Sequence, residues 1–455
     1  MKIINPATQK LVRELAEDTA ATIAEKFHAA KGAQPAWHDT PVATRIAVLS
    51  RFRDLVVTNI ERLAKTLTEE MGKPIAQARN ELNALHGRIG YFLENVESAI
   101  RDEVVFSDPA QKLQEVVSYE PLGVVGNISA WNYPYFVGSN VFVPALLTGN
   151  AVMYKPSEFA TLTGLAIGEL LKEAGLPRDL FQVIVGEGAV GAALLAQPLN
   201  GVFFTGSYPT GQQIASAAAK GLMKVQLELG GKDPTYVTND VNVKSVAEGT
   251  ADGAFYNAGQ SCCSVERIYV HADIYDAFVG HFVETVRGFV VGDPLDDKTY
   301  IGPLTRSAQI AVLEAQVKDA TDKGARVLVG GKRIADKPGY FAPTVLVDVD
   351  HSMTVMTDES FGPIIGIQKV DTDEEATRLM NDTDYGLTAG VYARDAKRAA
   401  HILHHVNAGS AYVNCCDRVS PRLPWSGRGH SGMGSTLGKL GIHAFVQPKA
   451  WHLRG

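Results

Sequence analysis

Two pairs of adjacent cysteines, Cys262–Cys263 and Cys415–Cys416, hold every thiol in this 455-residue chain. The first pair ends the run Phe255-Tyr256-Asn257-Ala258-Gly259-Gln260-Ser261, which is small, polar and glycine-bearing. Such a run is a poor place to bury an inert thiol, although a free cysteine most often ends as a buried small hydrophobe; the local sequence leaves both readings open. Thirty-four positions before Cys262, Glu228 stands in Leu227-Glu228-Leu229-Gly230-Gly231-Lys232, a carboxylate beside a Gly-Gly turn. A thiol nucleophile and a separate carboxylate are the minimum equipment for making a thioester and then hydrolysing it. A zinc site built from the four cysteines is disfavoured, because adjacent pairs lack the C-x-x-C spacing that lets two thiolates reach one ion. None of the 12 histidines falls in an H-E-x-x-H pattern. No metal is therefore expected.

The composition describes the body that must position these groups. A chain of this length predicts two or three domains. An apolar content of 45% with 20% charged residues is that of an ordinary soluble globular protein. The net charge of −7 argues against nucleic acid or an anionic membrane as partner. Met1-Lys2-Ile3-Ile4-Asn5-Pro6 contains no signal-peptide core, and no run approaches the ~18 apolar residues of a membrane span. Four cysteines give no disulfide framework, so a reducing, cytoplasmic setting is expected.

Local pattern divides the chain. The first hundred residues read as helices: Ile46, Leu49, Phe52, Leu55, Val56, Ile60, Leu63 and Leu67 recur at helical spacing until Gly72 and Pro74 stop the run. Residues 104–119 read as two partly buried strands around a turn, a protruding hairpin. From 122 to about 230, short apolar strands (122–128, 151–154, 181–185, 201–205) alternate with helices, one of them opening at Thr161. This pattern predicts a parallel sheet covered on both faces. A second β/α set runs from 231 to 446, with strands expected at 267–270, 326–329 and 364–367. The extended, apolar end (444–453) would be an edge liability unless paired. It is expected to meet the 104–119 hairpin in an oligomer contact.

Two places compete for a dinucleotide. Gly186-Glu187-Gly188-Ala189-Val190-Gly191 is a literal G-x-G-x-x-G between a strand and a helical pattern, but no acidic residue follows about 20 positions on. Phe204-Thr205-Gly206-Ser207 closes the next strand, and Ser207 can cap a helix whose free N–H groups make an anion site. Lys155-Pro156-Ser157-Glu158 leaves the carboxyl end of another strand, where a cation and a carboxylate would face the binding crevice. A carboxylate accepts from both hydroxyls of an unmodified ribose and repels a 2′-phosphate, so Glu158 favours NAD, with NADP as the alternative.

These runs stand in a fixed order with others. Trp131-Asn132-Tyr133-Pro134 precedes them; Asn257-x-Gly259-Gln260-x-Cys262, Glu359-x-Phe361-Gly362-Pro363 and Pro424-Trp425-Ser426-Gly427 follow the Glu228 run. Over essentially the whole chain the set resembles the aldehyde dehydrogenase superfamily, in its hydrolytic branch that does not acylate coenzyme A. The resemblance implies an α/β fold with two doubly wound parallel-sheet domains and a small oligomerisation sheet. It places an NAD-binding domain at 1–102 and 122–230, a catalytic domain at 231–446, and the hairpin and tail at 103–121 and 447–455. It implies a homodimer or homotetramer.

Carried over by residue, the resemblance makes Cys262 the nucleophile and Cys263 a bystander, Glu228 the general base, and Asn132 the oxyanion donor beside the Cys262 N–H. Lys155 and Glu158 become the adenosine-ribose ligands and Ser207 a pyrophosphate ligand, with Ser157 and Gly206 as further cofactor residues. Glu359 becomes the residue that holds the nicotinamide ribose and Phe361 one that packs near the nicotinamide, with Trp131 and Leu229 as further cofactor residues. The helix at Ser207, not the glycine run at 186–191, takes the phosphates. The activity implied is NAD-dependent oxidation of an aldehyde to its acid, with hydrolysis favoured because coenzyme A-acylating relatives usually lack the base.

One motif departs from the family pattern. The usual Pro-Phe-Gly-Gly-x-Lys-x-Ser-Gly reads here Pro424-Trp425-Ser426-Gly427-Arg428-Gly429-His430-Ser431-Gly432, which bears on the substrate. Tyr133, Phe136, Tyr256, Ser261 and Trp425 are expected to line the tunnel, whose aromatic rings suit an apolar or aromatic aldehyde. If Arg418 or Arg422 points inward, an acid semialdehyde such as succinic semialdehyde becomes the alternative. A catalytically silent structural relative is the remaining alternative, although Cys262, Glu228 and Asn132 are all intact.

Overall fold

In the computed structural model, which describes residues 1–416 and 418–455, the strands run in chain order as follows. They are β1 Lys2–Ile4, β2 Leu11–Glu14, β3 Glu103–Asp108, β4 Leu113–Pro121, β5 Val124–Ile128, β6 Ala151–Lys155, β7 Phe181–Val183, β8 Gly201–Thr205 and β9 Lys224–Glu228. The second half adds β10 Pro234–Val237, β11 Arg267–His271, β12 Arg326–Val329, β13 Thr344–Val347, β14 Ile364–Val370, β15 Thr388–Tyr392, β16 Ser410–Val413, β17 Gly432–Met433 and β18 Val446–Arg454.

The first large sheet has the order β17-β9-β8-β5-β6-β7 and is parallel apart from β17. Its central strands are buried along nearly their whole length, which their unbroken apolar runs require once helices cover both faces. Strand order reverses between β5 and β8. The crevice beyond the carboxyl ends of strands at such a switch point is where α/β sheets bind ligands. The second sheet, β12-β13-β14-β11-β10-β15-β16, is parallel except for β12. Each sheet has its own apolar core. Residues of the 424–445 stretch, including Trp425, Leu437, Ile442 and Phe445, pack into the first core, although in sequence they follow the second sheet. Cys263 joins that first core too, from the loop that precedes β11.

The third sheet is β18-β4-β3. The tail pairs antiparallel with the hairpin from Val446 opposite Pro121 to Arg454 opposite Leu113, so the extended end is satisfied within its own chain. Val104, Val105, Phe106, Trp451 and Leu453 remain exposed on this sheet.

The structure corrects three local expectations. The N-terminal hundred residues are not all helical, because β1 and β2 form a short antiparallel hairpin. The Ile46–Leu67 run is two helices, Val42–Thr58 and Ile60–Met71, separated at Asn59, whose φ of −109° and ψ of 11° leave the helical region. Ser207 sits at the N-cap of helix Tyr208–Lys220, but its hydroxyl makes no cap bond to the helix backbone. That hydroxyl instead pairs with Thr210 Oγ1 at 3.1 Å, because Pro209 occupies the first turn and removes one of the N–H groups a cap would satisfy.

Candidate active site

The ends of the first sheet deliver most of the expected residues to one place. β5 leads through Ser129 and Ala130 into Trp131, Asn132 and Tyr133, and helix Pro134–Leu147 begins immediately after. β9 ends on Glu228, whose backbone carbonyl accepts from the Gly206 N–H at 3.0 Å. The start of the Ser207 helix and the carboxylate are thus fixed to each other. From the other lobe comes the loop 256–263. Asn257 and Ala258 both adopt left-handed backbone, with φ of 55°, a conformation that asparagine tolerates better than most residues. Asn257 Nδ2 donates to the Asn132 carbonyl at 3.2 Å and to the Gln260 carbonyl at 3.1 Å. One side chain therefore ties the cysteine loop to the asparagine segment. Gly259, with φ of +69°, lies against the Gly362 carbonyl so closely that a Cβ could not be accommodated.

These segments enclose a cavity of about 1100 Å³. Asn132, Tyr133, Phe136, Glu228, Tyr256, Ser261, Cys262 and Trp425 all line it, so the three expected catalytic residues and the five expected tunnel residues share one space. Cys262 is half-buried, whereas Cys263 is buried and its Sγ lies 3.4 Å from Ser261 Oγ. No acceptor for the Cys262 N–H is found among the described residues. Cys415 and Cys416 line the cavity as well; Cys416 is packed under the Tyr392 hydroxyl.

Glu228 is buried. Thr436 Oγ1 donates to its Oε1, and Gln226 Nε2 approaches the same oxygen at 3.3 Å. Burial pushes its carboxyl up to about 7, against the pull of the Thr436 hydroxyl, the Arg88 charge and Gln226. Thr436 is itself held by Trp425: each backbone N–H donates to the other's carbonyl, at 2.7 and 2.9 Å. β17 pairs Gly432 with Glu228. The strip that departs from the family pattern therefore supports the carboxylate as well as lining the cavity.

The expected cofactor residues form a second group behind this one. Trp131 meets Phe159 and Phe361 edge-on, with ring centroids 6.3 and 5.4 Å apart. Leu229 is buried against Gly211 of the Ser207 helix. Glu359 Oε1 accepts from the Gly231 N–H at 3.0 Å, and burial, then the nearby Glu266 charge, pushes its carboxyl up to about 8. The Gly230–Gly231 turn passes between Glu359 and the Cys262 carbonyl, where a Cβ on Gly231 would come within 2.7 Å of that oxygen. At the end of β6 the Lys155 ammonium is buried, and burial holds it below the usual lysine range. Among the described residues its one hydrogen bond, to the Pro156 carbonyl, is long at 3.4 Å. Ser157 Oγ donates to Glu158 Oε2 at 3.0 Å. A buried ammonium with unused donors beside a half-exposed carboxylate fits a ribose diol, which accepts from the first and donates to the second. Glu187, from the glycine run, contributes to the field at Lys155.

Several residues of this site carry no motif. Helix Ile75–Ala99 buries Gln77, Glu81 and Arg88, and all three reach the cavity wall. Glu81 pairs with Lys73 Nζ at 2.5 Å and accepts from the N–H groups of Tyr135 and Phe136 at 2.9 and 3.3 Å. It thereby anchors the helix that starts just after Asn132. Gln77 Oε1 accepts from the Asn257 N–H at 2.9 Å. Their spacing of four and seven puts them on one stripe among apolar positions, the one sequence signal that could have found them. Arg418 and Arg422 line the cavity but are exposed, which places them at its rim.

The sequence profile of the aldehyde dehydrogenase family matches residues 1–451. A betaine aldehyde dehydrogenase of Cereibacter sphaeroides is 35% identical over 449 residues, which cover 98% of this chain and 92% of that protein. A putative NADP(+) succinate-semialdehyde dehydrogenase of Mycobacterium ulcerans is 38% identical over 436 residues, covering 95% and 83%. The crystal structure of PnpE in complex with nicotinamide adenine dinucleotide superposes with a TM-score of 0.96 at 33% identity, over 100% of this chain and 94% of that one. A cavity holding a thiol and a near-neutral carboxylate, on a fold shared over full length with these enzymes, makes this chain a member of the aldehyde dehydrogenase family, an oxidoreductase that oxidises aldehydes with NAD(P).

Proposed function

We propose that the chain converts an aldehyde to its carboxylic acid through a thioester on Cys262, with NAD as the preferred cofactor. The observation that carries this reading is that Glu228, pushed by burial to about 7, faces the same cavity as the half-buried Cys262 thiol and the Asn132 amide. The Cys262 thiolate attacks the aldehyde carbon. The oxyanion that forms is held by the Asn132 amide and the Cys262 N–H; losing one such donor costs about 2.7–4 kcal/mol of barrier. Lys155 and Glu158 would hold the ribose of NAD and the start of the Ser207 helix its pyrophosphate; bound there, the cofactor would supply the hydride acceptor that turns the Cys262 adduct into a thioester. The thioester on Cys262 is then attacked by a water whose proton goes to Glu228, and the acid leaves as the thiolate is restored. A carboxylate of ordinary acidity would be a weak base here, whereas one titrating near 7 is matched to neutral pH. The exposed apolar residues of the three-stranded sheet support assembly with a second copy.

The test compares Cys262→Ala with Cys263→Ala. NADH formation from NAD and a panel of aldehydes should vanish in the first and largely persist in the second. Loss of activity in Cys263→Ala alone would show that the wrong thiol has been assigned.

A further inference from the structure

The charge balance inside the cavity is uneven. Among the described residues, three charged side chains reach its interior: Glu81, Glu228 and Arg88. Glu81 is tied to Lys73, and burial raises the Glu228 carboxyl to about 7, so near neutral pH it is ionised only in part. Arg88 is 5% exposed and has no ion-pair partner within 4.0 Å among the described residues. Its Nη1 donates to Asn140 Oδ1 at 2.9 Å and its Nη2 to the Val419 carbonyl at 3.4 Å. A guanidinium carries five N–H donors in a rigid fork, so three have no acceptor among the described residues. The group lies over the Phe136 ring, 4.2 Å from its centroid, and it interacts through space with the charges of Glu228, Glu81 and Cys263 without forming an ion pair with them. A buried cation left unpaired beside a ligand cavity is costly unless the ligand completes it. At the rim, Asp252 accepts from the Tyr300 hydroxyl and Asp240 from the Thr238 hydroxyl. The exposed Arg394, Arg418 and Arg422 line the cavity beside them.

We propose that Arg88 is the specificity-determining cation of this cavity, binding a carboxylate at the far end of the substrate, so that the enzyme acts on carboxylate-bearing aldehydes. The inference rests on the cavity's being the site of aldehyde oxidation. The planar fork matches a carboxylate, and Phe136 holds its plane. The aromatic tunnel wall is then one side of an anion-binding slot instead of a surface for an apolar aldehyde. A quaternary ammonium aldehyde would meet an unpaired guanidinium.

The experiment measures kcat/KM at saturating NAD for 4-oxobutanoate, butanal, (trimethylammonio)acetaldehyde and 3-phosphoglyceraldehyde. Wild type should favour 4-oxobutanoate over butanal by roughly 10- to 100-fold, the discrimination expected of one charge-assisted pairing, and should use the cationic aldehyde least. In Arg88→Met the ratio should fall toward one, carried by KM for 4-oxobutanoate, and Arg88→Lys should restore part of it. Paired Arg418→Gln and Arg422→Gln substitutions should change the ratio by no more than about twofold, because rim charges in water are screened. Equal use of 4-oxobutanoate and butanal by wild type would overturn the proposal while aldehyde oxidation stands. So would preference for the phosphate, or loss of the ratio in the rim variant instead of Arg88→Met. Oxidation of none of the four, with no acylation of Cys262, would instead overturn the reading of the cavity.

Discussion

Glu228→Gln separates the two halves of the proposed reaction. The amide keeps the shape of the carboxyl and can still accept from Thr436 and Gln226, so the cavity and the Cys262 loop should hold. The lost element is the proton acceptor for the hydrolytic water, and removing a general base typically costs about 10²- to 10⁴-fold. Thioester formation does not need that group. Rapid mixing with NAD and an aldehyde should therefore show a burst of about one NADH per active site, followed by a steady state slowed about 10²- to 10⁴-fold. In wild type the slow phase should rise with pH through the Glu228 titration near 7; in the variant this limb should disappear. Stability supplies an independent check. The folded-state value near 7 lies above the ordinary 4.5, so between these values the folded protein holds the extra proton. The Glu228 contribution is then neutral below about pH 4.5, falls as pH rises, and reaches its full cost above 7. The shift corresponds to about 3 kcal/mol. Glu228→Gln should unfold at higher denaturant than wild type at pH 8, and the difference should shrink toward nothing near pH 4.5. A variant with no burst, an unchanged steady state, or a stability gain that does not depend on pH would refute the assignment.

Glu158 should make the ratio of kcat/KM for NAD over NADP exceed unity, and Glu158→Ser should lower that ratio by roughly tenfold or more by removing the charge that faces a 2′-phosphate; initial rates with both cofactors measure it, and wild-type preference for NADP would refute the role. Asn257→Ala should lose the bond that joins the cysteine loop to Asn132 and the one to Gln260 within that loop, and place alanine in left-handed backbone. A loss of about 2–3 kcal/mol of stability with a fall in kcat and little change in the KM for NAD is expected, read by denaturant unfolding and steady-state kinetics. Phe106→Asp with Trp451→Asp should lower the molar mass seen by light scattering, because both side chains are exposed on the three-stranded sheet; an unchanged mass would remove that sheet from the interface.

What could be read from the chain follows from how local its cause is. Strands β5, β6 and β8 are apolar runs bounded by turn residues, and Lys155 and Ser207 at the ends of β6 and β8 could be placed because sheet topology fixes where such ends point; Asn132 and Glu228 were placed through the family resemblance, and β9, Lys-Val-Gln-Leu-Glu, carries no apolar run to announce it. The tail and hairpin were legible for a similar reason: an extended apolar end must find a partner strand. Ser207 was legible only as a position, since Pro209 in the first turn changes what its hydroxyl can do. The break at Asn59 was not legible, because the apolar spacing runs through it and only backbone geometry interrupts it. The hairpin Lys2–Glu14 is short and largely exposed, so no burial pattern announces it. Arg88, Glu81 and Lys73 were missed for a different reason. Each is an ordinary helical or loop residue in sequence, and its role arises from three segments meeting far apart along the chain.

That meeting also explains why two buried carboxyls only one cavity wall apart are treated so differently. Glu81 has an ammonium at 2.5 Å and two helix N–H groups as direct partners, so its oxygens are taken up in holding the helix in place. Glu228 has a hydroxyl and an amide as direct partners, and the cation it feels, Arg88, makes no ion pair with it. Were Arg88 to close on Glu228, the carboxylate would be held as a permanent anion too weakly basic to take a proton from water. Were Arg88 absent, burial alone would push the carboxyl higher still and leave less of it ionised at neutral pH. Its bonds to Asn140 and Val419 hold the guanidinium away from the base and leave donors facing the cavity. The same placement therefore serves both requirements: it moderates the base without neutralising its function, and it keeps a cation available to an anionic substrate.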